Sequence, residues 1–363
     1  MTENNNEMEK LVEEYDKQLD LMKKQYGEEE DLYPWIYMLL MKSGKIQNLS
    51  MRQVAGAPWA NVVLGREMLR GYAGFPDIAI LDKEFCAINI DKDINDRIPN
   101  IVNWMVKSFP INIESNVIEN ILKFNINPSE EIKEFLKSYW FLHNIDKLRG
   151  CVEVKVINDK LIDIESETLL TINCLPDTYT EKFYRKGKRK FCYHREDVKL
   201  PNTNELKLGQ YYEINYDELP DEAKESREFS ESDEISCKIE KCINCFIQLE
   251  NLLSKEKKNY TLNETDVKQL FGELLWYGKV LYTNGKKWSF LQVETCSNDK
   301  EIQNIVDLRK ILYGTCVKFH EPLENWYERI SKMQEKGLKI QINCKNKLDE
   351  EDLSSWIENK VNF

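Results

Sequence analysis

Residues 75–91 read FPDIAILDKEFCAINID and carry the clearest strand pattern in the chain. Two β-rich apolar runs, 75–81 and 85–91, are joined by a charged turn at 82–84. Short apolar runs separated by a polar turn predict two strands that form a hairpin. Asp77 stands where the first strand begins, so an acidic side chain is expected at the end of a sheet.

Helical and strand patterns alternate on both sides of this hairpin. Apolar residues recur at helical spacing in 7–27, 34–43 and 264–278, whereas 150–216 is rich in short strand-like runs. An Asn284-Gly285 pair between two strand patterns predicts a further hairpin with a two-residue turn. The expected fold class is therefore α/β of the α+β type, with a mixed sheet flanked by helices.

Composition narrows the class of protein. The N-terminus is polar and acidic, unlike a signal peptide, and the apolar run 32–41 is shorter than the ~20 residues that cross a bilayer. We expect an intracellular protein of the cytoplasm or nucleus without membrane association, whose ten cysteines are free thiols. No glycine loop of the P-loop or dinucleotide type is found in the sequence, which argues against nucleotide hydrolysis and NAD chemistry.

Two separated segments resemble the PD-(D/E)XK nuclease superfamily, the restriction-endonuclease-like fold. In that family a hairpin presents an Asp and then an acid two residues before a Lys. Here Pro76-Asp77 opens the first strand and residues 87–91 form the second, in the same order and spacing. Farther along, a helix that begins Gln269-Leu270 and ends near Tyr277 precedes a Thr-Asn-Gly turn and Trp288. The resemblance implies a nucleic-acid substrate and Mg²⁺ held by carboxylate oxygens.

The resemblance also implies a domain organisation. It covers roughly 30–93 and 264–295, so the region between them is expected to be an insertion of domain size. The predicted parts are a first core segment, an inserted region, a second core segment and a C-terminal helix-strand-helix, at 1–95, 96–263, 264–322 and 323–363. Within the insertion we expect a helical part, a β-rich part, an acidic linker and a helix, at 96–149, 150–216, 217–234 and 235–255.

The site residues follow from the same alignment of motifs. Asp77 is the first expected metal ligand, and the acid-x-Lys positions fall on Asn89 and Asp91, which leaves Asp91 as the second ligand. Lys92 is adjacent to Asp91 and therefore points to the opposite face of the strand. Gln269 is expected to reach the site from its helix. Because Asn89 is neutral and Asp91 has the opposite charge to lysine, a weak or lost nuclease activity is predicted.

Another acid-x-Lys sequence is Glu153-Val154-Lys155, in the strand-like run CVEVKVI. It lies farther from Asp77 in sequence than the family's hairpin permits, although a fold can bring remote strands together. The alternative interpretation is a solvated cross-strand pair of opposite charges.

A basic segment at 182–195 supplies the best nucleic-acid contact in a chain whose net charge is −12. Cationic side chains attract phosphates, and the aromatic residues between them can stack on bases. The alternative is a lysine-rich hairpin that protects a sheet edge. The expected nucleic-acid-binding residues are Lys182, Arg185, Lys186, Lys188, Arg189, Lys190 and Arg195.

Three cysteines, Cys237, Cys242 and Cys245, allow a zinc site with Cys192 or His194 as fourth ligand. They follow the apolar stripe of a predicted helix rather than paired ligand turns, so core packing is favoured over zinc. The sequence thus favours a degenerate or weak metal-dependent nuclease. The other hypothesis is an acidic module that inhibits or docks on a basic, nucleic-acid-binding protein without catalysis.

We predict that a variant with Arg185, Lys186, Arg189 and Lys190 replaced by Ala binds single-stranded DNA more weakly than the parent. Each lost phosphate contact should lower the slope of log affinity against log salt by about one. Filter-binding titrations across a range of NaCl concentrations measure that slope. An unchanged slope would identify the segment as a protected edge that contacts no phosphate.

Overall fold

The fold is known from a computed structural model. It describes residues 2–25, 27–44, 46, 49–53, 76–83, 145–157, 159–186, 190–196, 211–221, 224, 229–261, 265–298, 302, 304–310, 326–348 and 352–363. The strand predicted at 85–91 and nearly all of the predicted helical part 96–149 lie outside these residues. The fold is mixed α/β, as the sequence predicts.

The helices among the described residues are α1 (Thr2–Lys24), α2 (Tyr33–Lys42), α3 (Thr265–Tyr277), α4 (Trp326–Glu335) and α5 (Leu353–Lys360). The strands are β1 (Leu49–Gln53), β2 (Ile78–Asp82), β3 (Leu148–Val154), β4 (Thr168–Lys186), β5 (Lys190–Glu196), β6 (Tyr211–Ile214), β7 (Ile235–Asn251), β8 (Lys257–Thr261), β9 (Lys279–Thr283), β10 (Trp288–Cys296) and β11 (Lys339–Lys347). The predicted C-terminal helix-strand-helix is confirmed as α4, β11 and α5.

The chain divides into two compact units, one formed by Met1–Thr171 with Ile247–Phe363 and the other by Ile172–Phe246. The sheet of the first unit has the order β1-β2-β3-β9-β10-β11-β4, to which β4 contributes its first residues. Neighbouring strands are antiparallel except β3 and β9, which are parallel. The first predicted strand, now β2, therefore shares a sheet with the β9-β10 hairpin although about 200 residues separate them.

The two faces of this sheet carry different helices. Val152 and Val154 of β3 belong to one apolar cluster with α1, α2 and α5. Successive strand residues point to opposite faces, so Cys151 and Glu153 lie on the other face, where α3 contacts β3. The odd-numbered residues at the end of β3 therefore meet α3.

The β9-β10 hairpin is confirmed, but its turn is longer than the sequence predicts. Thr283 pairs with Trp288, which leaves four connecting residues, 284–287, instead of two. The reason is the Asn284 side chain, whose Oδ1 accepts hydrogen bonds from the backbone N–H groups of Lys286 and Lys287. Gly285, at φ +83°, presents its carbonyl to the Tyr15 hydroxyl, 2.6 Å away.

Among the described residues of the second unit, β4 pairs with β5 and β6 pairs with β7, both antiparallel, and β4 neighbours β7. The helix predicted at 235–255 is wrong, because residues 235–251 form strand β7. Ile235, Cys237 and Ile239 alternate with polar residues at the period of a strand, and Cys245, Ile247 and Leu249 resume that alternation. The helical stripe arose because Cys242 and Phe246 interrupt this alternation and, with Ile239, Ile243 and Leu249, fall three or four residues apart.

Two further expectations about this unit are corrected. Leu219 and Phe229, from the stretch expected to be a solvated acidic linker, are buried with Tyr184, Ile235 and Cys237. Cys174 and Cys245 form a disulfide, which contradicts the expectation of free thiols and removes Cys245 from any zinc site. Cys237 is buried, in keeping with core packing.

We predict that Gly285→Ala lowers the free energy of unfolding by about 2–4 kcal/mol, through left-handed strain and crowding. An added Cβ would lie 2.8 Å from Leu19 Cδ1 and 3.1 Å from Leu32 Cδ2, and both leucines are buried. Urea unfolding measures the loss.

Gly337→Ala is the matched control. Gly337 also has a positive φ, but its Cβ would meet only the exposed side chain of Asn298, which can move away. The control should lose about 1–2 kcal/mol. Equal losses in the two variants would contradict the crowding at Gly285.

Candidate functional site

Asp77 lies immediately before β2, where continuation of the Ile78–Val152 pairing brings it opposite Glu153. Its Oδ1 accepts a hydrogen bond from the Tyr33 hydroxyl at 2.5 Å, and its Oδ2 accepts one from the Val154 N–H at 2.7 Å. Burial raises the pKa of Asp77, although both hydrogen bonds act against the rise. The carboxylate is thus held from α2 on one side and from β3 on the other.

Glu153 and Lys155 occupy alternate positions at the end of β3 and so share a face. Their side chains are 1% and 9% exposed, and Lys155 Nζ lies 2.6 Å from Glu153 Oε1. Burial, with the charge of Asp77, raises the pKa of Glu153 to about 8. Burial disfavours the charge on Lys155, but the ion pair with Glu153 outweighs it and raises the lysine pKa. The interpretation as a solvated pair is therefore wrong.

Helix α3 runs antiparallel to β3, because residues farther along the strand meet residues earlier in the helix. Lys155 Nζ donates to Gln269 Oε1 at 3.4 Å and lies 3.5 Å from Asp266 Oδ1. One turn later, Gln269 Nε2 is 3.5 Å from Glu273 Oε1. Two strand residues and one helical turn each advance about 6 Å. Lys155 therefore lies opposite Gln269, and Glu153 lies opposite Glu273.

Glu273 is fully buried behind Glu153. Burial raises its pKa well above the ordinary value, and the charges of Glu153 and Asp77 raise it further. A proton on Glu273 lets it donate a hydrogen bond to Glu153. If both groups are ionised instead, Glu153 Oε2 and Glu273 Oε2 have no donor. The pair therefore disfavours full ionisation unless a cation is near.

A short acidic turn, Glu29–Asp31, approaches the same place ahead of α2. Burial raises the pKa of Glu29, the charge of Asp77 raises it further, and Lys155 acts in the opposite direction. Several carboxyl groups thus surround one ammonium group, and this excess of negative charge favours a bound cation.

Magnesium suits these donors, because it prefers carboxylate oxygens and keeps waters on its other positions. Asp77 and Glu153 could hold it, since Glu153 Oε2 has no donor when Glu153 and Glu273 are both ionised. In the described part of the chain, no group of three or more His, Cys, Asp or Glu side chains is arranged to hold a metal. A site of two carboxylates would therefore depend on water or substrate for its remaining ligands.

The predicted site residues divide into two sets. Asp77 and Gln269 lie close to Lys155, as the hydrogen bonds and charges above establish. Asn89, Asp91 and Lys92 lie outside the described residues. The sequence analysis missed Glu273, whose signal was a single acid four residues after Gln269 in an otherwise apolar helix segment.

The basic segment forms part of the β4-β5 hairpin, where Lys186 pairs with Lys190. Lys186 is exposed and lies 2.8 Å from Asp233, and Arg185 is partly buried. Lys188 and Arg189 lie outside the described residues, and the side chains of Lys182, Lys190 and Arg195 do as well.

Comparison with protein-family models, curated proteins and solved structures found no significant match. Among the described residues, no helix has the length and apolar character needed to cross a membrane.

We predict that metal-free protein becomes less stable as pH rises from about 4.5 towards 8, the window set by Glu153. A carboxyl with a raised folded pKa binds its proton more tightly in the folded state, so stability is greatest below the unfolded pKa. Glu273→Gln should flatten this decline, because it removes one of the two interacting acids. Urea unfolding at a series of pH values measures the slope.

Glu328→Gln is the control, since Glu328 pairs with Lys332 at the surface and leaves the buried pair intact. An identical pH slope in wild type, Glu273→Gln and Glu328→Gln would contradict the interaction between Glu273 and Glu153.

Proposed function

We propose that the chain is a divalent-metal-dependent nuclease of the PD-(D/E)XK type, with Asp77, Glu153 and Lys155 as its active-site residues. One observation carries the proposal. The hydrogen bond from the Val154 N–H to Asp77 Oδ2 joins the acid of Pro76-Asp77 to the strand that bears Glu153 and Lys155.

This set supplies each part of the family's motif. Two acids and a lysine meet at the ends of neighbouring strands, and Gln269 reaches the lysine from the helix before β9. The expectation of lost activity depended on Asn89 and Asp91 as the acid-x-Lys positions. Glu153-Val154-Lys155 has the acid and the lysine that Asn89 and Asp91 lack, so we propose an active enzyme.

Asp77 and Glu153 are the residues that would hold Mg²⁺. Bound Mg²⁺ supplies a Lewis acid for a phosphoryl oxygen and lowers the pKa of a bound water. Lys155 stays protonated, because its ion pair with Glu153 raises its pKa. It therefore acts as a positive charge that orients a nucleophile or stabilises developing negative charge, and not as a general base.

The proposed substrate is nucleic acid. The net charge of −12 opposes a polyanion, so binding has to come from local cations such as those of the β4-β5 hairpin.

We predict that purified wild-type protein cleaves DNA or RNA oligonucleotides when Mg²⁺ or Mn²⁺ is added. Asp77→Asn, Glu153→Gln and Lys155→Met should each lower the rate by roughly 100-fold or more, because each removes a metal ligand or the cation at the reacting phosphate. Gel assays of single- and double-stranded substrates measure the rates.

Two matched controls lie in the same sheet. Asp82→Asn removes an acid at the far end of β2 that pairs with Arg149, and Lys279→Met removes a lysine of β9 bonded to the Asn362 carbonyl. Both should retain cleavage, as should Asp91→Asn. If Asp91→Asn abolishes cleavage and Glu153→Gln does not, the second metal ligand is Asp91 and not Glu153. A silent wild type would overturn the proposal and favour a binding module.

A further inference from the structure

Tyr33 stands out among the residues around the candidate site, because it joins the apolar core directly to Asp77. It is 5% exposed and belongs to the cluster formed by α1, α2, α5 and one face of the sheet. Its hydroxyl leaves that cluster and donates to Asp77 Oδ1 at 2.5 Å. A buried ring with a single directed hydrogen bond is a rigid support for the acid that it contacts.

The position of Asp77 makes such a support necessary. It lies in a bend one residue before β2 begins, outside the ladder that fixes the strand. In the described part of the chain, the donors to its carboxylate are Tyr33 and the Val154 N–H. A carboxylate has about four acceptor sites, so these two bonds fix its plane and leave about two sites for a cation.

The backbone around Tyr33 is fixed as well. Tyr33 opens α2, and Pro34 stands in the first turn of that helix, where its ring restricts φ to helical values. Leu32 and Ile36, on either side, are fully buried. The hydroxyl is therefore held in place before any ligand arrives, which is the property of a residue that orients a metal ligand.

We propose that Tyr33 is the positioning residue of the metal site: its hydroxyl fixes the Asp77 carboxylate in the orientation that binds the divalent cation. This inference rests on the proposed function, because it assumes that Asp77 is a metal ligand. Tyr33 itself contacts neither metal nor substrate in this assignment.

Tyr33→Phe tests the assignment, because it removes the hydroxyl and keeps the ring in the core. Tyr15→Phe is its matched control. Tyr15 is buried in the same cluster, and its hydroxyl makes one bond of similar length, 2.6 Å, to the Gly285 carbonyl. Burial raises the pKa of both phenols, so both remain protonated donors. Each variant loses one phenol hydrogen bond of similar length, but only the Tyr33 bond ends on Asp77.

The measurements are the dissociation constant of Mn²⁺ by calorimetric titration without substrate, and the unfolding temperature without metal. Both variants should unfold roughly 2 °C below wild type, as expected for one lost hydrogen bond. Only Tyr33→Phe should weaken Mn²⁺ binding, by about 10- to 100-fold, the range typical of partners that orient metal ligands. In cleavage assays, its half-saturating Mn²⁺ concentration should rise by the same factor while kcat at saturating Mn²⁺ changes little.

Equal Mn²⁺ affinities in wild type, Tyr33→Phe and Tyr15→Phe would overturn the assignment of Tyr33 and leave the proposed function standing. Weakening of Mn²⁺ binding by both variants to the same degree would also overturn it, since the effect would then come from lost stability. A wild type that neither binds Mn²⁺ nor cleaves nucleic acid would overturn the proposed function, and the assignment of Tyr33 with it.

Discussion

The buried ion pair between Lys155 and Glu153 constrains the whole arrangement around the end of β3. A lysine that is 7% exposed keeps its charge only if an acid lies against it, and the 2.6 Å contact with Glu153 meets that requirement. Helix α3 must then present polar groups at the same level, which Asp266 and Gln269 do. Buried apolar side chains of α3, such as Leu270, Phe271 and Leu274, pack in the core, and the helix contacts β3, β9 and β10.

The pair does not balance the charge of its surroundings. Asp77, Glu153, Glu273 and Glu29 are all carboxyl groups with raised pKa values, and Lys155 is the cation that acts on each of them. Burying acids so close together opposes folding, whereas apolar residues of the same size would not. An arrangement that is unfavourable for stability and that a cation would relieve is typical of a functional site.

Prediction from sequence succeeded where one local pattern had one structural outcome. The β2 pattern, the hairpin at Asn284-Gly285 and the final helix-strand-helix each combine a clear period with recognisable turn residues. It failed for β7, where residues spaced three and four apart in 235–253 also fit two runs of alternation. An alternation that extra apolar residues interrupt gives no unique answer until the neighbouring strands β4, β6 and β8 are present to pair with it.

Sequence patterns alone predict the mixed α/β class, the start of β2 near Pro76-Asp77 and the helix that carries Gln269, because these depend on local periodicity and turn chemistry. The contact between Asp77 and the strand that bears Glu153 and Lys155 comes from the tertiary fold. Glu153 lies 76 residues after Asp77. Their proximity depends on the antiparallel pairing of β2 with β3 and on the parallel pairing of β3 with β9. The tertiary fold also brings Tyr33 to Asp77 and Glu273 to Glu153. Pairing between remote strands is fixed by burial and register across the whole sheet, and no local pattern of residues records it.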